Sequence, residues 1–216
     1  MSQKIYAVFT GELADSSRYS QEILGKIPET IRESVQAVNK TLKREDKLDY
    51  EVIRMDQFMG IIETPATALH SIIMLAAQFR YHSYKELEIR MDLKLSLAIG
   101  SIELFQKNLR ESDGTAVREA MNRLGAMKRN QRLSIVTPDK NTNGEFAVAC
   151  SFMDIIMHDW SDEQAEALFL RLSGMNQTNI SKELKISQPA VNRRLKAAHH
   201  EAIQKFVKRY NSILSA

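Results

Sequence analysis

Cysteine is nearly absent from this chain of 216 residues: Cys150 stands alone. That excludes a disulfide framework and suits a reducing compartment. Cys150 itself reads as a small buried hydrophobe. Long apolar runs are missing too, for none approaches the ~18 residues of a membrane span. The N-terminus carries no signal-peptide pattern, so a cytoplasmic protein with no membrane partner is expected. No glycine-rich P-loop, nucleophile elbow or Cys–His pair occurs, and the five histidines lack metal-ligand spacing. The pair His199–His200 reads as the surface of a helix. These absences leave a plain composition, 44% hydrophobic and 26% charged, ordinary for a soluble globular chain long enough for one domain or two.

What is present is asymmetric. The net charge is +3, yet residues 174–216 carry eight basic residues against two acids, a net +6, leaving −3 for the rest. A basic end on a mildly acidic body is the electrostatic footprint of a nucleic-acid-binding module. The apolar spacing changes along the chain as well. Ile5–Phe9 reads as a buried strand ended by Gly11. Ile23 to Leu42 follows a helical period that Pro28 is expected to break into two helices. Tyr50–Ile53 and Phe58–Ile62 are strand-like runs joined by a tight turn. Thr64–Pro65 opens a helix reaching about Arg80, after which "FRYHSYK" (Phe79–Lys85) reads as a helix end and solvated loop. Leu93–Ile102 is a strand, Thr115–Met127 a helix and "RLSIVTP" a last strand. This order predicts an α+β sheet of the ferredoxin-like, split-βαβ kind with helices on one face. "PDKNTNGE" (Pro138–Glu145) reads as a linker, followed by an all-α domain. The expected division is residues 1–140 and 141–216. Met74, Phe79, Phe152, Met153 and Trp160 fit helix faces and are expected in the core.

The most specific local pattern is "NQTNISKELKISQPAVNRRLKAAHHEA" (Asn176–Ala202). Ile180 and Leu184 share one helix face, and Val191, Leu195 and Ala198 share the next, with Ile186 in a short turn. That spacing is a helix-turn-helix: Ser187 is placed to cap the second helix and Pro189 falls in its first turn. Ser161 and Gln164 form a capping box before the supporting helix. Ser187, Gln188, Asn192, Arg193 and Lys196 are then the candidate DNA contacts, able to reach phosphates or base edges in a major groove of double-stranded DNA. The pattern over residues 161–206 resembles the DNA-binding region of sigma factors and LuxR-type regulators, with Lys185 where many such turns have glycine.

Three further stretches, "YAVFTGELADSS" (Tyr6–Ser17), "EVIRMDQFMGII" (Glu51–Ile62) and "LSLAIGSIE…ESDGTAVREA" (Leu95–Ala120), resemble the SatD-like family and, behind it, the nucleotidyl-cyclase-like class. The resemblance implies that Glu12 and Asp56 face one another across neighbouring strands, holding Mg²⁺ against a triphosphate. It also implies that the loop Leu13–Ser17, with Ser16 and Ser17, receives phosphate oxygens. Met55 stands where that pattern has glycine, and Glu12 is one methylene longer than the usual aspartate. No base-selecting pair or transition-state Arg or Asn can be matched, so no catalytic residue is assigned. A bare polar turn accounts for Asp56 equally well. The expectation is a homodimeric, DNA-binding transcriptional regulator whose cyclase-like part senses a nucleotide or dimerises. The alternatives are a nucleotide cyclase or related nucleotidyltransferase tethered to DNA by its basic end, and a dimeric adaptor using both parts for protein contacts.

Overall fold

The computed structural model describes residues 4–106 and 108–215. Strand β1 (Ile5–Leu13) is the middle of a five-stranded sheet. Its alternation sorts the two faces: Ala7, Phe9 and Leu13 enter one apolar cluster, while Val8 enters another. Gly11 does not end the strand. A Cβ there would meet the Phe58 ring at 2.3 Å, so this glycine serves a close approach and the strand runs on to Leu13.

Helix α1 (Gln21–Asn39) follows, capped by Ser20. Pro28 lies inside it without breaking it, contrary to expectation. An interior proline costs about 3 kcal/mol, but Ile27, Ile31, Val35 and Val38 form one fully buried stripe on both sides of it. Burial at about 1.5–3 kcal/mol per side chain outweighs that cost. Strands β2 (Asp49–Arg54) and β3 (Gln57–Ile62) form the expected hairpin. A single 3₁₀ turn, Pro65–Thr67, leads into α2 (Ala68–Leu87), which continues seven residues past Arg80; "FRYHSYK" is helix, with Phe79 and Ser83 buried. Then come β4 (Leu93–Ser101), α3 (Thr115–Ala126) and β5 (Leu133–Val136).

The sheet order is β2-β3-β1-β4-β5, antiparallel except that β5 runs parallel to β4. The first four strands with α1 and α2 make the expected split-βαβ unit. The expectation of helices on one face needs correcting. α1 and α2 cover one face, whereas α3, as the crossover between two parallel strands, covers the other through Ala116, Val117 and Ala120. Thr10 Oγ1 ties it down by donating to Ala120 O at 2.9 Å.

The stretch read as a linker is instead the start of α4 (Lys140–Asp159). Asp139 caps it, accepting from the N–H groups of Asn141 and Thr142, and Asn143 bonds back to Thr137. The remaining helices are α5 (Asp162–Leu172), α6 (Gln177–Glu183), α7 (Gln188–Ala197) and α8 (His200–Leu214). A separate all-α domain is not shown. Phe146, Leu168, Ala198, Ile203 and Tyr210 belong to the same buried cluster as Phe9 and Leu97. Tyr210 donates its hydroxyl to Pro65 O at 2.8 Å, and Trp160 its indole N–H to Ala198 O at 3.2 Å. Met74, Phe79, Met153, Cys150 and Trp160 are buried as expected. Phe152 is 63% exposed and His200 is buried, both against expectation. Among the described residues no helix is long and apolar enough to cross a membrane.

Candidate functional site

The basic end is built from short, well-capped pieces. Ser161 and Gln164 make the capping box at the start of α5. Gly174, at φ +98°, turns the chain toward α6, whose first turn is capped by the Asn176 side chain. α6 is only seven residues, and α7 follows after Leu184–Ser187. Lys185 takes the left-handed φ of 52° that the sequence pattern would give to glycine. That conformation costs a side chain about 1–2 kcal/mol, and the turn is held by Ile186 N–H donating to Ser181 O at 3.1 Å. Ser187 caps α7 by accepting from Ala190 N–H, and Pro189 lies in its first turn. Ala167, Ile180, Val191 and Leu195 close a small core between α5, α6 and α7.

Burying Val191 and Leu195 turns the other side of α7 outward. Gln188, Arg193 and Lys196 are exposed and Asn192 half-buried, while the Ser187 hydroxyl is already engaged as the cap. Asn192 and Lys196, one turn apart, wall a cleft of about 480 Å³ with Gln177, His199 and Lys205. Two cations of the basic end are spoken for: Arg194 lies 3.5 Å from Glu166, and Arg209 bonds both oxygens of Glu145. Lys182, Lys185, Arg193, Lys196, Lys205 and Lys208 make no ion pair among the described residues. His200 sits under this surface with Nε2 unpartnered. Burial, and then the charge of Arg171, push its pKa down. The surface is therefore a donor-rich cationic face suited to phosphate oxygens and base edges.

The two acids singled out in the front half come together at one end of the sheet. Glu12 pairs across β3 with Gln57, and Asp56 lies next to it in the hairpin turn, where its carbonyl accepts from Leu13 N–H at 2.8 Å. Met55, beside it, is half exposed. The sequence missed what stands on the other side: Lys94 of β4 is in register with Glu12 and places Nζ 3.2 Å from Oε1. Among the described residues no three His, Cys, Asp or Glu side chains are grouped to hold a metal ion. With its carboxylate engaged by a lysine that is only 14% exposed, Glu12 with Asp56 does not fit a divalent cation as arranged.

Ser16 and Ser17 lie in a three-residue 3₁₀ turn, and α1 starts only at Gln21 under a different cap, Ser20. The loop's geometry is set by Asp15, at φ 54°, whose carboxylate binds Arg129 at 2.6 Å and lies 3.7 Å from Arg18. Partial burial works against that carboxylate's charge, but the Arg129 hydrogen bond and the neighbouring guanidinium charges hold its pKa below the ordinary value. Arg18 and Arg129 are the loop's cations, and Arg129 did not stand out in the sequence because its partner Asp15 is far from it in the chain.

No protein-family model and no curated protein sequence matches the chain, so the SatD-like, sigma-factor and LuxR-type resemblances find no support there. Solved structures match in part. The catalytic core of a rhodopsin-guanylyl cyclase is 14% identical with a TM-score of 0.46, over 67% of this chain and 81% of that one. The monomeric guanylyl cyclase domain of the RhoGC fusion protein from Blastocladiella emersonii is 15% identical, TM-score 0.44, over 68% and 86%. The adenylyl cyclase CyaB from P. aeruginosa is 12% identical, TM-score 0.41, over 62% and 77%. The likeness is to a cyclase-like α+β arrangement, and at these identities and TM-scores it carries no argument about activity.

Proposed function

We propose that the chain binds duplex DNA through α6 and α7, with the sheet acting as the regulatory body. The observation that carries this reading is the outward side of α7: Gln188, Asn192, Arg193 and Lys196 project from a capped, rigidly seated helix, and of its three cations only Arg194 is paired within the protein. With α7 in a major groove, Arg193 suits a bidentate contact to guanine, and Gln188 or Asn192 suits adenine. Lys196 and Lys205, across the cleft, suit the flanking phosphates, as do Lys182 and Lys185 at the far end. Each phosphate neutralised adds about −0.9 to the slope of log K against log salt.

The test is selection of a preferred duplex from a random pool, followed by anisotropy titrations of the full chain over a salt series. Arg193→Ala is expected to weaken the preferred site by about 1–3 kcal/mol and to relax sequence preference. Lys205→Ala is expected to weaken all duplexes alike. Absence of binding at low salt sinks the reading; equal losses on preferred and random duplexes for both variants reduce α7 to a phosphate contact.

A second reading, nucleotide handling at the front sheet, rests on the adjacency of Glu12 and Asp56 at the end of a split-βαβ sheet. The partial likeness to guanylyl and adenylyl cyclase domains goes with this reading at the level of fold alone. Against it stand the Lys94 bridge and Met55. Melting the protein with each nucleoside triphosphate and Mg²⁺, in wild type and Asp56→Asn, tests binding by mass action. Resolving the incubated products tests chemistry: a cyclic or linked nucleotide lost in Glu12→Ala and Asp56→Ala makes the chain an enzyme.

A further inference from the structure

Four arginines among the described residues are withdrawn from full exposure, and three of them have a carboxylate at hand. Arg80 and Arg132 share Asp92, and Arg194 lies 3.5 Å from Glu166. Arg171, half-buried in the last turn of α5, has none among the described residues. A guanidinium drawn partly out of water without a counter-charge is unfavourable unless a ligand brings one. Arg171 Nη1 donates to Met175 O at 3.0 Å, which steadies the side chain and leaves the rest of its fork without a protein acceptor.

Arg171 lines a pocket of about 300 Å³ where α2, α5 and α8 meet. α8 contributes Gln204 and Lys208, one turn apart, and α2 contributes His70, while Leu172 and Val207 supply an apolar patch. No carboxylate lines it. The acids that act on the histidines nearby are occupied or face another surface. Asp46, felt by His70, accepts from the Thr67 hydroxyl at 2.7 Å. Glu201, felt by His200, lines the adjoining cleft with Lys205.

We propose that this pocket binds a small phosphomonoester, its phosphate held by Arg171 and Lys208 with Gln204 and His70, and its short carbon portion resting on Leu172 and Val207. Charge selects the class. Arg171 and Lys208 supply two positive charges, and burial keeps His70 below its ordinary pKa, a neutral hydrogen-bonding group near pH 7. A phosphomonoester there carries about −1.5 to −2, more than a carboxylate or a backbone phosphodiester. The guanidinium fork suits two phosphate oxygens at once and the ammonium a third. Size selects a small ligand, since about 300 Å³ is the low end of small-molecule sites. The pocket joins α2 to α8 close to where Tyr210 and Asn211 tie that helix to Pro65 and Ala66. An occupant therefore holds the last helix against the body. The inference does not rest on the DNA-binding reading.

The probe is glycerol 3-phosphate, titrated by calorimetry into the full chain at constant ionic strength, with inorganic phosphate and succinate as parallel arms. One saturable site per chain is expected for both phosphate compounds, with a Tm that rises with their concentration. Arg171→Gln and Lys208→Gln are each expected to weaken binding roughly tenfold, the loss of one charge-assisted hydrogen bond. Lys208 is exposed, so its replacement tests the site even where Arg171→Gln harms the fold. Lys128→Gln, on the rim of a different groove, is expected to change nothing. No saturable binding of either phosphate compound, or binding that either pocket variant leaves unchanged, overturns the proposal. Succinate bound as tightly overturns the assignment to phosphate. A short random duplex that displaces glycerol 3-phosphate, and itself binds more weakly to Lys208→Gln, makes these cations backbone contacts and overturns the small-molecule assignment.

Discussion

Arg80 is 3% exposed in the middle of α2, and its charge is answered chiefly by one carboxylate, Asp92, 2.7 Å away. The same carboxylate lies 3.2 Å from the guanidinium of Arg132, whose side chain is 6% exposed. Arg80 also donates to the carbonyls of Met157 and His158 in the last turn of α4, while its Nε finds no partner. Burial lowers the pKa of Arg80, and the Asp92 charge opposes that. One aspartate thus holds two buried cations where α2, β4, β5 and α4 converge. Replacing Asp92 with Ala removes the nearest carboxylate from both guanidiniums, a change that costs about 3–5 kcal/mol for a buried pair. In a chain of this length that corresponds to a fall in Tm of roughly 6–20 °C. Arg80→Met, of similar volume, removes the buried charge and the orphaned Nε but strips two carbonyls of a donor, so about 1–3 kcal/mol is expected. The double variant should then be less damaged than the sum of the single losses, because both act on one interaction. Urea unfolding of the four proteins measures this cycle. If Asp92→Ala costs under about 1 kcal/mol, or the two losses simply add, the cluster is solvated and the reasoning fails.

Ser187→Ala removes the α7 cap and is expected to cost about 1 kcal/mol of stability, read by urea unfolding. Arg194→Ala, which loses the half-buried pair with Glu166, is expected to lower stability by up to about 1 kcal/mol while sparing DNA sequence preference, the reverse of Arg193→Ala. His70 and His200 are both held below their ordinary pKa, in each case first by burial. Unfolding raises those values, so the unfolded chain binds more protons below about pH 6.5 and stability falls from there toward pH 5. Calorimetry across that range should show the fall, reduced in His200→Gln; an unchanged slope in that variant removes His200 from the account. Deleting residues 174–216 is expected to abolish cooperative melting of the remainder, since Tyr210 is fully buried in the common core. A truncated chain that melts like wild type makes the helical end an independent domain.

The parts legible in the sequence are those decided by near neighbours. The α6–α7 unit could be read because its caps, its turn and its buried pairs all fall within a few residues of one another. The order of strands and helices was readable for the same reason. Where reading failed, a distant contact decided the outcome. Gly11 reads as a terminator, but its lack of a side chain serves Phe58 on the next strand. Pro28 reads as a breaker until the buried stripe around it is known. The polar run that opens α4 is the exception, because its capping residue, Asp139, is a local signal. α4 is apolar on two sides, so nothing local says that Phe152 faces out and Phe146 in. Glu12 was found, but its partner Lys94 is visible only once the register of β1 with β4 is fixed, and the Asp92 cluster draws on four separate elements.

The shared core constrains how the front sheet could influence the basic end. A tethered DNA-binding module would be free to swing, and a ligand on the sheet could then act by altering a linker. Here α8 is pinned to the Pro65–Thr67 turn by Tyr210 and Asn211, and α4 is pinned to α2 by Arg80. The Asp92 carbonyl in turn accepts from Ala14 N–H, two residues from Glu12, while its carboxylate holds Arg80 against the last turn of α4. The strand-end loop and the start of the helical end are therefore joined by short, buried polar contacts rather than by flexible chain. A molecule bound near Glu12 can then reach α7 only by tilting α4 and α5 as a packed unit. Under the proposed DNA-binding reading, a rigid tilt of packed helices rather than a swinging module is thus what this architecture predicts.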